Sequence, residues 1–113
     1  MKYPILALLL LTAVLGAESG PRKQVTVPTK TLDKYVGSYT VPGAVLKVTR
    51  ETTHLFVQEN DKPRKELLPE SDIQFFSKSS DDTITFQGIA KDGKAIIMMI
   101  HQDGKDIPAA RVQ

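Results

Sequence analysis

The chain has 113 residues, a length that suits one small domain, and its 15 basic and 13 acidic side chains leave a net charge of +2. This balance gives no indication of nucleic-acid binding or of attraction to an anionic membrane surface. The sequence contains no cysteine, so no disulfide supports the fold and hydrophobic packing must hold it together.

The first segment has the layout of a secretory signal peptide. Lys2 precedes an apolar run from Ile5 to Leu15, and the small residues Gly16 and Ala17 follow. The run is 11 residues long, whereas a membrane-spanning helix needs roughly 20. A buried N-terminal helix is the alternative. We predict cleavage near Ala17, a periplasmic or secreted location, and no stable membrane anchor after cleavage.

The residues after the predicted cleavage site divide into a tether and one domain. Residues 18–30 are polar and contain two prolines, which predicts a tether ahead of a domain over 31–113. The domain opens with TLDKYVGSY. Thr31 is a suitable cap for one helical turn with an apolar side, and Gly37 is suited to end it.

The rest of the sequence alternates β-like segments with turns, which predicts an all-β protein. Asp-Gly pairs at 92–93 and 103–104 predict two similar two-residue hairpins, and Gly88 predicts a bulge or a bend. About eight short strands in an antiparallel meander predict a sandwich or a small closed barrel. The predicted strands are 38–41, 44–50, 53–59, 64–68, 73–78, 82–88, 95–102 and 106–112.

One strand is apolar on both faces. Residues 95–102 read AIIMMIHQ, and alternate residues of a strand face opposite ways. The face predicted to lie in the barrel interior carries Ile96, Met98 and Ile100, and the same interior is predicted to hold Leu46, Val48, Ile84 and Phe86. The opposite face carries Ile97, Met99 and His101.

Three explanations fit the second apolar face. The tether or the turn at 31–36 folds back on it, as is typical of strands covered on both sides. Alternatively, a second copy or a partner protein binds it, since exposed apolar patches usually mark interaction sites. The third explanation is a barrel wide enough for a small apolar ligand, with flexible methionine side chains conforming to it.

Three stretches resemble one bacterial domain family. They read LDKYVGSY at 32–39, ELLPESDIQFF at 66–76 and IHQDGKDIPAARV at 100–112. The family is the domain of unknown function found C-terminal to the catalytic domain in serine β-lactamase-like, penicillin-binding-protein-type hydrolases. The resemblance implies a lipocalin-like β-barrel. This sequence departs from the pattern at 51–53, where the expected glycine is missing and a looser or longer hairpin is predicted. We also expect no hydrolase domain ahead of the barrel, unlike in those hydrolases.

The resemblance implies no enzymatic activity. Those hydrolases use a Ser-x-x-Lys nucleophile motif, and no serine of this chain has lysine three residues later. His54 and His101 lack a nucleophile-elbow sequence, and two histidines without cysteine are a poor basis for a metal site. We therefore predict no catalytic residues, metal or cofactor.

These observations predict a non-catalytic, exported binding domain. We expect it to dock on a partner, either a periplasmic or secreted serine hydrolase or a second copy of itself. The alternative is a carrier that holds a small apolar ligand inside the barrel.

Overall fold

The computed structural model describes residues 23–112, so the predicted signal peptide lies outside the described range. The fold is all-β, as predicted, with one short helix, α1, at Thr29–Leu32. Eight antiparallel strands form a closed barrel in which each strand pairs with the next and β8 returns to β1. The strands are β1 Gly37–Val41, β2 Ala44–Glu51, β3 His54–Glu59, β4 Lys65–Pro69, β5 Gln74–Phe76, β6 Thr83–Ile89, β7 Ala95–Gln102 and β8 Lys105–Arg111.

The barrel interior contains most of the residues predicted for it. Five of them are at most 9% exposed, and Ile100 packs against the same core while partly buried. Strand alternation explains this, because residues two apart share a face and opposed residues of paired strands face the same way. The five are Leu46, Val48, Ile84, Phe86 and Met98.

Ile96 corrects the predicted interior. It is 45% exposed, although strand alternation places it on the same face as the buried Met98. It is the second residue of β7 and lies beside Gly88, which has no side chain to cover it; a Cβ at Gly88 would lie 3.2 Å from Ile96 Cδ1. Of the two alternatives predicted at Gly88, the bulge is absent, because the pairing register is the same on its two sides, and the glycine distorts the strand locally with a φ of 71°.

The hairpins differ from their predicted forms in two places. Asp103 and Gly104 have φ of 53° and 74°, which confirms a two-residue turn with both central residues left-handed. The other Asp-Gly pair lies in a longer loop, closed by a 2.8 Å bond from Ala90 N to Lys94 O, in which Gly93 takes the positive φ. The loop at 51–53 was predicted to be loose and is tight, because Glu51 pairs directly with His54.

One end of the barrel is closed by residues 27–36, which we call the plug. Helix α1 begins after Pro28 without a side-chain cap, so the cap position lies three residues before the predicted cap, Thr31, which is inside the helix. Leu32 and Tyr35 are 1% and 3% exposed. Val27 is 4% exposed and belongs to the core, so the predicted tether is wrong at this residue.

Tyr35 anchors the plug among aromatic rings. Its ring stacks on Phe86 with centroids 4.2 Å apart and meets the edge of Phe75 at 5.7 Å. Its hydroxyl donates to Asp72 O at 2.6 Å, and the Tyr39 hydroxyl donates to Tyr35 O at 2.8 Å. Burial raises the pKa of both tyrosines, so the two hydroxyls stay protonated and keep donating.

Polar bonds tie the plug to three strands of the wall. Arg50 Nε of β2 donates to Asp33 Oδ1 at 2.5 Å. The Arg111 guanidinium of β8 donates twice to Val36 O, at 3.0 and 2.6 Å. The backbone amide of Ala95, at the start of β7, donates to Lys34 O at 2.9 Å.

Tyr35 substitutions test the importance of the plug. Tyr35→Ala should lower the free energy of unfolding by about 4 kcal/mol, because it removes a buried aromatic ring and leaves a cavity. Tyr35→Phe should cost only about 1 kcal/mol, because it removes one hydrogen bond and keeps the ring. Urea denaturation followed by circular dichroism measures both. Equal losses in the two variants would contradict a packing role for the ring.

Thr52 is the strained position of the β2–β3 hairpin. It is β-branched and has φ of 52°, a region where such residues are outliers. Thr52→Asn should raise the free energy of unfolding by about 1 kcal/mol, because asparagine tolerates the left-handed conformation better. Thr53→Asn is the matched control, since Thr53 has no positive φ and should gain nothing in the same denaturation experiment.

Candidate functional site

The barrel end opposite the plug opens into a cavity of about 230 Å³. Strands β3, β5 and β7 run toward this mouth and β2, β4 and β6 run away from it, and inward residues near those strand ends line it. The floor and walls are apolar and the rim is polar. The apolar lining comprises Leu46, Val57, Leu67, Phe75, Ile84, Met98 and Ile100.

The rim carries charges of both signs. Lys62 Nζ donates to Glu59 Oε2 at 3.3 Å, so these two charges pair within the β3–β4 loop. Gln102 Nε2 donates to Asp82 Oδ2 at 3.3 Å on the opposite side of the mouth. Lys65 also lines the cavity, at the start of β4. An apolar cavity with a charged rim can accept a small molecule that is apolar at one end.

The second face of β7 is covered at one end only. Ala95 is fully buried at the start of β7, where it belongs to the hydrophobic core and its amide bonds to the plug. Ile97 and Met99 remain only partly buried farther along the strand. Their partners on β8 are Ala110 and Pro108, which are both exposed. An outward apolar strip of these four residues therefore remains on the barrel wall.

His101, the third residue predicted for that face, joins a polar chain across four strands. Its Nδ1 lies 2.7 Å from Asp106 Oδ1 on β8, and its Nε2 lies 2.8 Å from Thr85 Oγ1 on β6. Thr85 lies 3.4 Å from Gln74 Oε1 on β5. Sequence reasoning missed Thr85 and Asp106, although the Asp-Gly hairpin places Asp106 directly opposite His101.

Hydroxyl, imidazole and carboxylate follow the order found in serine hydrolases, but the surroundings differ. Thr85 is 9% exposed and lies in the middle of β6, which is paired on both sides. Strand pairing uses the backbone amides that an oxyanion hole would need. The arrangement ties β6, β7 and β8 together on the outer wall.

The other histidine also forms a surface pair. His54 Nδ1 lies 2.6 Å from Glu66 Oε2, and both side chains are substantially exposed. Within residues 23–112, no three His, Cys, Asp or Glu side chains come close enough together to hold a metal ion. No helix of this described range has the length and apolarity needed to cross a membrane.

Comparison with known protein families assigns the chain to one of them. The model of the family described as Domain of unknown function (DUF3471) matches residues 21–111. The match covers all eight strands of the barrel, and the chain belongs to this family. No curated protein matches the sequence.

Proposed function

We propose that this member of the DUF3471 family is a non-catalytic binding protein that holds a small, largely apolar ligand in the open end of its barrel. The observation that carries the proposal is the cavity of about 230 Å³, with its apolar lining and single polar rim. An engineered apolar cavity of about 150 Å³ already binds benzene. Eight-stranded barrels of this kind have room for one small ligand.

The position of the titratable groups supports binding rather than catalysis. The polar chain through His101 lies on the outer wall, and none of its members lines the cavity. A bound ligand would therefore meet apolar side chains and rim charges. Catalysis normally requires a nucleophile, a base and an orienting group that converge on the bound molecule.

Export is part of this proposal. The signal-peptide layout of residues 1–17 supports a periplasmic or secreted location. Native mass spectrometry of the protein purified from its own host tests location and ligand together. We expect a chain that starts near Glu18 and an additional small mass that disappears on denaturation.

Filling the cavity tests the binding site directly. Ile100→Trp should weaken the binding of 1-octanol about tenfold, because the indole occupies the space at the mouth. Met99→Trp is the matched control, since Met99 is adjacent on β7 but faces outward, and it should leave affinity unchanged. Isothermal titration calorimetry measures both, with circular dichroism to verify the fold. Equal affinities in the two variants would place octanol outside the cavity.

A second candidate function is docking on a partner protein. The supporting observation is the outward apolar strip of Ile97, Met99, Pro108 and Ala110. Apolar strips of this kind favour protein association. The resemblance to the domain that follows serine β-lactamase-like catalytic domains points to such a hydrolase, or to a second copy, as the partner.

Charge substitutions test the docking surface. Met99→Lys or Ile97→Lys should abolish association, because each places an ammonium group in the centre of the strip, and should leave the β-type circular dichroism intact. Val45→Lys is the control, since Val45 is an exposed apolar residue of β2. Light scattering of the protein alone, and mixed with a serine β-lactamase-like hydrolase from its own host, measures association. A protein that stays monomeric and does not bind the hydrolase would contradict docking.

A further inference from the structure

We infer that the ligand of the open cavity is a small amphiphile with an anionic headgroup, held by Lys65 and Lys78 at the rim. This inference rests on the proposed ligand-binding function and adds the chemical class of the ligand. Two features carry it: unpaired cations at one side of the mouth, and a depression there that continues the cavity.

The depression lies immediately beside the mouth. It measures about 300 Å³, and its lining includes Lys65, Ser77, Lys78 and Ser79. Lys65 and Ser77 line the cavity as well, so the two spaces share a wall. A molecule whose apolar end fills the cavity would therefore have its other end at this depression.

The two lysines are available to a ligand, because neither forms an ion pair with any residue in 23–112. Both side chains are exposed. Two ammonium groups beside a serine hydroxyl favour a carboxylate, sulfate or phosphate headgroup.

The neighbouring charges already have partners. Lys62 pairs with Glu59 at 3.3 Å, and Arg64 pairs twice with Glu51, at 2.7 and 3.2 Å. Glu66 lies 2.6 Å from His54 Nδ1. Glu66 also lines the depression, as its single carboxylate, and it stands against the two ammonium groups of Lys65 and Lys78, so positive charge remains in excess there.

Asp82 is the rim group that would favour the opposite ligand charge. It is a single carboxylate, half-buried, and it already accepts a hydrogen bond from Gln102 at 3.3 Å. It lines the cavity but not the depression. Two unpaired ammonium groups on one side therefore outweigh one bonded carboxylate on the other.

The cavity also limits the length of the ligand. If about 150 Å³ admits the six carbons of benzene, about 230 Å³ admits about nine in proportion. Medium-chain carboxylates and small aryl acids have this size, whereas a long-chain fatty acid exceeds it. Octanoate is the appropriate probe.

The test compares three probes that share one chain length: octanoate, 1-octanol and octylammonium. Calorimetric titration measures each against the unmodified protein, Lys65→Met/Lys78→Met and Lys47→Met. Lys47→Met is the control because Lys47 is an exposed lysine on the outer face of β2. All substituted lysines are exposed, so the variants should fold, and circular dichroism verifies this.

We expect the double variant to bind octanoate about fivefold more weakly, the scale of two solvent-exposed ion pairs, with octanol affinity unchanged. The Lys47 variant should match the unmodified protein for all probes. The difference should shrink in 1 M salt, because exposed charges are screened there.

The possible outcomes distinguish a failure of the headgroup assignment from a failure of the proposed ligand-binding function. In one outcome octanol binds, and octanoate binds the double variant as tightly as it binds the unmodified protein. That result overturns the headgroup assignment but not the proposed ligand binding in the cavity. Octylammonium binding more tightly than octanol also overturns it, because Asp82 would then dominate. Failure of all three probes to bind overturns the ligand-binding function itself.

Discussion

The stacking of the Tyr35 ring on Phe86 makes the two ends of the barrel different, because it holds the plug in one end while the other end stays open. Strand pairing alone makes a cylinder whose ends are alike. The plug places an aromatic ring, a leucine and its own hydrogen bonds at one end, and that end becomes solid core. The remaining space is left at the mouth. The site is therefore a consequence of where the N-terminal segment packs.

The sequence predicted the strands well because the information for them is local. Alternation and turn residues placed all eight, and each predicted strand overlaps an observed one. The plug was anticipated as a helical turn but not as a barrel closure. Its destination depends on Phe75 and Phe86, which lie 40 or more residues later in the chain, and no local pattern encodes that contact.

The candidate site was predictable in its floor but not in its rim. Alternation identified Ile84, Met98 and Ile100 as inward residues, so a barrel with an apolar interior followed from the sequence. The rim combines the β3–β4 loop with the β5–β6 loop. The pairing of β4 with β5 brings Lys65 near Lys78, and alternation along a single strand does not give that register. The prediction for Ile96 failed for a similar reason. Alternation along a strand gives the face on which a residue lies, but it does not tell whether other residues cover that face.

The seam between β1 and β8 has a kinetic consequence. Its register contains only Tyr39 opposite Arg111 and Thr40 opposite Ala110, and Arg111 also holds the plug through Val36, 75 residues away. Closing so long a loop carries an entropy cost that must be met before these contacts form. The barrel should thus assemble from its hairpins and close last, with the first and last strands meeting in one late step that also seats the plug.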